Sequence, residues 1–321
     1  MTSVPPISLL AALIEDCESL NDYYDEFIVR RLEEIQFASR HRERFLDLLN
    51  GLVQETHNAH FQDIQFQFAG SYLKGTQVAM VNEYDILVEC SYRYLGSHPT
   101  SSMSPTELFH PVTGERLSST VLQNELKRLL FQLQDRGYCF INDITRRGAS
   151  VKMKLQTDSV RSIDFDFIIA IPCVDVPGVW WVPNRGRGYR AGDWVPSFTA
   201  CEYRLINTMK ARFPEYKMMI RFLKHIRDQL GLTKVVSYGL ECAVCWYFRY
   251  RFHRSRYVRK DSDLLGRLIA YLVRLLRRGR KVSHLHQNGP GSDMLGYLKK
   301  EIRNEYADKI ERAFPFLDYR W

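Results

Sequence analysis

Residues 70–90 read GSYLKGTQVAMVNEYDILVEC, with Glu83 and Asp85 one residue apart in a run that otherwise has the character of a strand. Side chains along a strand alternate between its two faces, so these two acids share one face. Two carboxylates on one face repel, and ionising both costs free energy unless a cation lies between them. An exposed strand carries Glu-x-Asp by chance often enough, so the pair alone decides little. Two neighbours give it weight. YDILVEC runs on as a buried-looking strand, and Gly70-Ser71 opens the segment twelve positions before Glu83.

A matching pair lies farther along, in RSIDFDFIIAI at residues 161–171, where Asp164 and Asp166 also share a face and lead into an apolar run. A glycine followed by serine at a turn frees backbone N–H groups and a hydroxyl for a phosphate tail. Three carboxylates converging nearby would hold two Mg²⁺ ions about 3.5–4 Å apart, one for an attacking sugar hydroxyl and one for a triphosphate and its leaving pyrophosphate. In-line nucleotidyl transfer needs that division, because it depends on positioning and charge stabilisation.

The rest of the chain sets the frame. Its 321 residues are 45% hydrophobic and 26% charged, long enough for two lobes and too apolar for wholesale disorder. A formal charge of +8 favours polyanionic partners without proving one. Seven scattered cysteines lack disulfide-framework spacing and fit a reducing compartment. ISLLAALIEDCE, near the start, has no basic residues before it and is far too short to span a bilayer. The expectation is a cytoplasmic protein without a membrane span.

Apolar residues at helical spacing (Phe27, Leu32, Ile35, then Phe45, Leu48, Leu49 and Leu52) predict a long helix capped at Asn21 and kinked near Ala38–His41. FQDIQFQFAG, YDILVEC, YCFINDITRRGASVKMKLQ and SIDFDFIIAIPC predict strands, interrupted by a helix over TVLQNELKRLLFQLQDRG. The polar, proline-rich HPTSSMSPTELFHPVTGE reads as an exposed loop. From Cys201 onward the pattern is helical; EYKMMIRFLKHIRDQLG puts Met219, Phe222, Leu223, Ile226 and Leu230 on one face and stops at Gly231. The expected class is α+β: a long N-terminal spine helix and a mixed-sheet core over residues 1–200, then a helical lobe over 201–321.

Taken together, Gly70-Ser71, Glu83-x-Asp85 and the later Asp166 resemble the polymerase-β type of bilobed nucleotidyltransferase. Glutamate in the first acidic position resembles the cyclic GMP–AMP synthase branch, and in IDFDFIIAI the acid four residues before an alanine is Asp166. DWVPSFTACE is similar to that branch's Trp-x-x-Ser-Phe-x-x-x-Glu, here Trp194, Ser197, Phe198 and Glu202. KMMIRFLKHIRDQL followed by SYGLECAVCW resembles its helical-lobe segment. The likeness covers roughly residues 20–321 and implies roles. Glu83, Asp85 and Asp166 would be the catalytic Mg²⁺ (or Mn²⁺) ligands. Gly70 and Ser71 would cradle the triphosphate of ATP or GTP, and Arg221 or Lys224 would neutralise it. Ser237 and Tyr238 would meet the donor nucleotide, with Glu202 nearby.

The chain departs from that pattern at Val195, where the vertebrate enzyme has arginine, and at Ala69, where it has threonine. Base selectivity therefore does not carry over. Between Val182 and Trp194, where the vertebrate zinc insertion would fall, there is neither Cys nor His, and Cys242 and Cys245 lack a second pair, so no structural zinc is expected. Without a zinc clamp the likeness points to the invertebrate cGAS-like receptors of innate immune sensing, several of which answer to double-stranded RNA. Arg40, Arg42 and Arg44, with Arg251, Arg254, Arg277, Arg278, Arg280 and Lys281, form the candidate duplex surface, RNA favoured over DNA. The implied product is a cyclic dinucleotide, and oligomerisation on the ligand is possible in this family. A catalytically silent scaffold of the same fold and a linear tailing enzyme are the competing expectations.

Overall fold

The structure is a computed structural model that describes residues 7–29, 32–57, 61, 64–74, 76–78, 83–90, 107–109, 114–137, 140–147, 149–159, 161–173, 176–184, 193–251, 260–279, 282 and 295–319. In chain order the elements begin with α1 (Ile7–Glu15), α2 (Asn21–Tyr23) with a π-helical turn over Tyr24–Ile28, and α3 (Leu32–Glu55). Next come β1 (Gln65–Phe68), α4 (Gly70–Lys74), β2 (Glu83–Glu89), β3 (Leu108–Phe109), β4 (Arg116–Leu117) and α5 (Ser119–Asp135). The strands β5 (Phe140–Arg147), β6 (Ser150–Gln156), β7 (Ser162–Pro172), β8 (Trp180–Pro183) and β9 (Trp194–Ser197) follow. Helices α6 (Thr199–Arg212), α7 (Tyr216–Gln229), α8 (Ser237–Tyr250), α9 (Asp261–Arg278) and α10 (Lys300–Ala313) complete the chain. The class is α+β with a mixed sheet. Among the described residues no helix is long and apolar enough to cross a membrane.

Two compact units emerge, one of residues 32–74 and 81–203, the other of residues 1–31, 75–80 and 204–321. In the first, the sheet runs β1-β2-β7-β6-β5, with β8 on the far end of β7 and β9 on β8. Only β2 and β7 run parallel; the other pairings are antiparallel. Alternation divides the sheet. Tyr84, Ile86 and Val88 of β2 and Phe165 and Phe167 of β7 enter the core, where they meet Phe45, Leu49 and Leu52 of α3 and the leucines of α5. Phe45 lies 5.3 Å from Phe165, which stacks on Phe167 at 5.5 Å. Burying each such ring stabilises by roughly 1.5–3 kcal/mol, and this ties the strand register to the helix layer. The opposite face therefore carries the acids.

The second unit is helical. Met219, Phe222, Leu223 and Ile226 of α7 are buried, and Gly231 follows the helix in the left-handed region (φ +63°) that suits a helix stop. Tyr23 and Tyr24 pack on Phe222 at 6.3 and 5.6 Å, and the Tyr23 hydroxyl lies 3.0 Å from His225 Nε2.

Three expectations change. The predicted kink falls elsewhere: α3 is continuous through Ala38–His41, and the break is at Val29, which is extended (φ −84°, ψ 133°). Ala38 is buried among helix formers with no Gly or Pro beside it, so nothing there bends the helix. Asn21 is not a cap; its own N–H donates to Ser19 Oγ at 3.3 Å. Within the segment read as an exposed loop, Leu108 is fully buried, held by β3–β4 pairing to Leu117.

Candidate functional site

Strand register assembles the acids. In the parallel β2–β7 pair Glu83 stands beside Asp164 and Asp85 beside Asp166; on the other side of β7, Lys154 pairs with Asp164 and Lys152 with Asp166. Alternation keeps all six side chains on the face away from the core. They form two rows, Glu83–Asp164–Lys154 and Asp85–Asp166–Lys152, with strands about 4.8 Å apart. Lys152 Nζ reaches Asp166 Oδ2 at 2.8 Å and, diagonally, Glu83 Oε1 at 3.1 Å. Lys154 stands 3.8 Å from Asp164, a looser and more exposed pair.

Asp85 is held from the chain's other side by the turn into α4. Ala69 N–H donates to the Asp85 carbonyl at 2.9 Å, and Gly70 adopts φ +55° directly over the Asp85 side chain. A Cβ on Gly70 would lie 1.7 Å from Asp85 Oδ2, where no atom fits. Gly70 is thus required twice, by its backbone and by the carboxylate above it. Gly70→Ala is expected to lose at least ~1 kcal/mol from the left-handed backbone alone and to push Asp85 aside. A thermal midpoint equal to wild type would contradict this packing.

Burial, then the charges of Glu83 and Asp166, push the Asp85 carboxyl from its ordinary 3.8 up to about 6, with Lys74 and Lys152 pulling it back down. The sign follows from linkage. A raised acid favours folding while protonated, so the benefit is complete below pH 3.8 and is lost as pH rises through about 6. Asp85→Asn removes that loss. It is expected to be more stable than wild type at pH 7.5, by on the order of 2 kcal/mol, and to show no such gain near pH 4. Urea midpoints at the two pH values check this.

Do these residues suit a divalent cation? Among the described residues no three His, Cys, Asp or Glu side chains already stand as a metal-binding group. Yet Asp166 Oδ1 is buried without a hydrogen-bond partner, and Asp85 is disfavoured as an anion by burial and then by its two acidic neighbours. An orphaned carboxylate oxygen beside two further carboxylates is a hard-oxygen donor set with unmet charge, which Mg²⁺ or Mn²⁺ matches. The ammonium in direct contact with two of these carboxylates is that of Lys152.

Other predicted residues sit as follows. Ser71 is half-buried as the second residue of α4. Glu202 forms an ion pair with the buried Lys74 at 3.0 Å. Trp194 is wholly buried, its Nε1 donating to the Leu117 carbonyl at 2.8 Å. In the helical unit, Ser237 Oγ accepts from Arg227 Nη1 at 2.7 Å, and Tyr238 is half-buried in the first turn of α8. Arg221 Nη1 donates to Tyr24 Oη at 2.5 Å. Lys224 is committed to the interior: its side chain and that of Glu241 are each 3% exposed, and its ammonium donates to Glu241 Oε1 (2.7 Å), Thr76 Oγ1 (3.0 Å) and the Thr76 carbonyl (3.1 Å). Lys224 is thus occupied by a buried ion pair, against the expectation that it meets a triphosphate.

The basic surface thins in a similar way. Arg42 is 4% exposed, its guanidinium 4.4 Å over Phe68 and 5.3 Å from Tyr84. Arg40 and Arg44 are exposed but border the same groove as Glu43, Asp47 and Glu55. Arg277 pairs with Asp308 and Glu311. Arg251 and Arg278 are exposed; Arg254, Arg280 and Lys281 lie outside the described residues.

Lys152, Lys74 and Glu241 did not enter the sequence reading. A signal for Lys152 existed: SVKMKLQ alternates, so Lys152 and Lys154 share a face, and a tight hairpin to SIDFDF sets that face beside Asp164 and Asp166.

No protein-family model matches this chain, and no curated protein matches it in sequence.

Proposed function

We propose that this chain is a metal-dependent nucleotidyltransferase of the polymerase-β-like, cyclic GMP–AMP synthase type, joining two ribonucleoside triphosphates into a cyclic dinucleotide when a duplex binds. The observation that carries the reading is the register of Asp85 against Asp166, with Glu83 alongside and Gly70 closed over Asp85. Glu83, Asp85 and Asp166 would hold Mg²⁺, which when bound neutralises the triphosphate and favours ionisation of the attacking sugar hydroxyl. Gly70 and Ser71 open α4 next to Asp85 and would receive the phosphate tail. Lys74, neutralised by Glu202, stiffens the last turn of α4. Arg221 would supply charge to the phosphates, Tyr238 a stacking face and Ser237 a hydroxyl for the donor nucleotide.

The net charge of +8 and the exposed Arg251 and Arg278 support a duplex as the activating partner, in the cytoplasm and in innate immune sensing. Double-stranded RNA is favoured over DNA by the likeness to the receptors that lack a zinc insertion, an A-form duplex being read by shape and phosphate contacts. A second reading, a catalytically silent scaffold, is favoured by one observation: Lys152 already forms ion pairs with Glu83 and Asp166.

Labelled ATP and GTP, incubated with Mg²⁺ and with duplex RNA, duplex DNA or neither, separate the readings by product mass. Cyclic dinucleotide formed only with duplex is the expected result. Linear product points to a tailing enzyme, and no product under any condition supports the scaffold.

A further inference from the structure

Lys152 occupies an unusual position for a surface lysine. Its neighbours Val151 and Met153 are buried in the sheet core, and β6 pairs residue for residue with β7, so the Lys152 backbone is fixed beside Asp166. Its side chain, by contrast, is 39% exposed, on a flexible stem long enough to bring the ammonium to solvent.

Contact distances of 2.8 and 3.1 Å put the Nζ atom against the oxygens that a hard cation would need. Mg²⁺ sits about 2.0–2.1 Å from its oxygens and demands near-octahedral room, so ammonium and cation exclude each other by space as well as by charge. Lys152 also leaves part of the trio unmet, since Asp166 Oδ1 is buried without a hydrogen-bond partner.

We propose that Lys152 is an internal counter-ion for the carboxylate trio: it competes with the divalent cation, so the free chain binds metal weakly, and a nucleoside triphosphate relieves the competition by giving the released ammonium an anionic partner. The inference rests on reading the trio as cation ligands and deepens that reading. It makes cation entry depend on substrate.

The test titrates the full chain with Mn²⁺, following free Mn²⁺ by electron paramagnetic resonance. Without nucleotide, Lys152→Met is expected to bind Mn²⁺ at least about ten-fold more tightly than wild type, and Lys152→Arg to resemble wild type. Adding Asp85→Asn to Lys152→Met is expected to abolish the gain. With a non-hydrolysable triphosphate present, wild type is expected to approach the Lys152→Met affinity. Lys152→Gln gives the same comparison if the methionine variant does not fold. Equal Mn²⁺ affinity in wild type and both neutral variants overturns the counter-ion role while leaving the trio as cation ligands. Absence of Mn²⁺ binding in every variant, with triphosphate as without, overturns the cation reading and the proposal together.

Discussion

Asp85→Asn is expected to lower cyclic product by at least ~10³-fold while leaving duplex affinity intact or raised. The substitution keeps shape and removes charge at the acid that Gly70 covers and that Glu83 and Asp166 both oppose. A neutral amide has no charge with which to hold a divalent cation, so the loss falls on the chemical step rather than on binding. Because the amide also ends an unfavourable ionisation, the inactive variant is expected to be the more stable one at neutral pH. That pairing of lost activity with gained stability separates a functional acid from a structural one. Asp164→Asn is the control. Its carboxylate is 49% exposed and 3.8 Å from Lys154, whereas that of Asp166 is 13% exposed and bound to Lys152 at 2.8 Å. Activity of Asp164→Asn is expected within about three-fold of wild type, because an exposed ion pair contributes little, and Asp166→Asn is expected to match Asp85→Asn. Wild-type turnover by Asp85→Asn would remove Asp85 from the chemistry and with it the reading of the trio as catalytic cation ligands.

Lys224→Met is expected to destabilise the protein by about 3–5 kcal/mol, since it strands a buried charge. The Lys224 ammonium is the shared partner of Glu241 and of both oxygens of Thr76, and neither charged side chain has appreciable contact with water. Removing the lysine leaves the buried Glu241 carboxylate without its ammonium partner, with the Thr76 hydroxyl still donating to it. The reciprocal Glu241→Ala should cost a similar amount. Replacing both, as Lys224→Met with Glu241→Leu, is expected to recover most of the loss, because a buried ion pair barely outweighs its own desolvation. Denaturant unfolding followed by a probe in the helical unit, alongside triphosphate titration, gives the answer. If Lys224→Met folds with wild-type stability and loses triphosphate affinity, the lysine is a phosphate ligand after all and the buried pair is not the structural anchor described here.

Much of the site was legible before any coordinates. Period-two alternation put Glu83 with Asp85 and Asp164 with Asp166, and β2 and β7 bear out both pairs. The apolar face of α7 and its stop near Gly231 were equally clear, as was the helix that became α5. Positive charge was legible only as a sum. Counting arginines did not show that Arg42 packs under the sheet edge on Phe68, or that Arg277 spends its charge on Asp308 and Glu311. Lys224 misled for a related reason: helical spacing gives the direction of a side chain, while its partner Glu241 comes from the next helix and Thr76 from a segment far upstream.

Local periodicity is a property of adjacent residues, so the chain alone determined which side chains share a face, where the strands and helices run and which acids travel in pairs. Which strand lies beside which, and in what register, is decided by ladders of hydrogen bonds and by aromatic packing between segments distant in the chain, as for Glu83 and Asp164 or Phe45 and Phe165. Only the tertiary structure therefore decided that Asp85 meets Asp166 and that Gly70 closes over it. The same holds for the lysine of a neighbouring strand, which stands where a cation would.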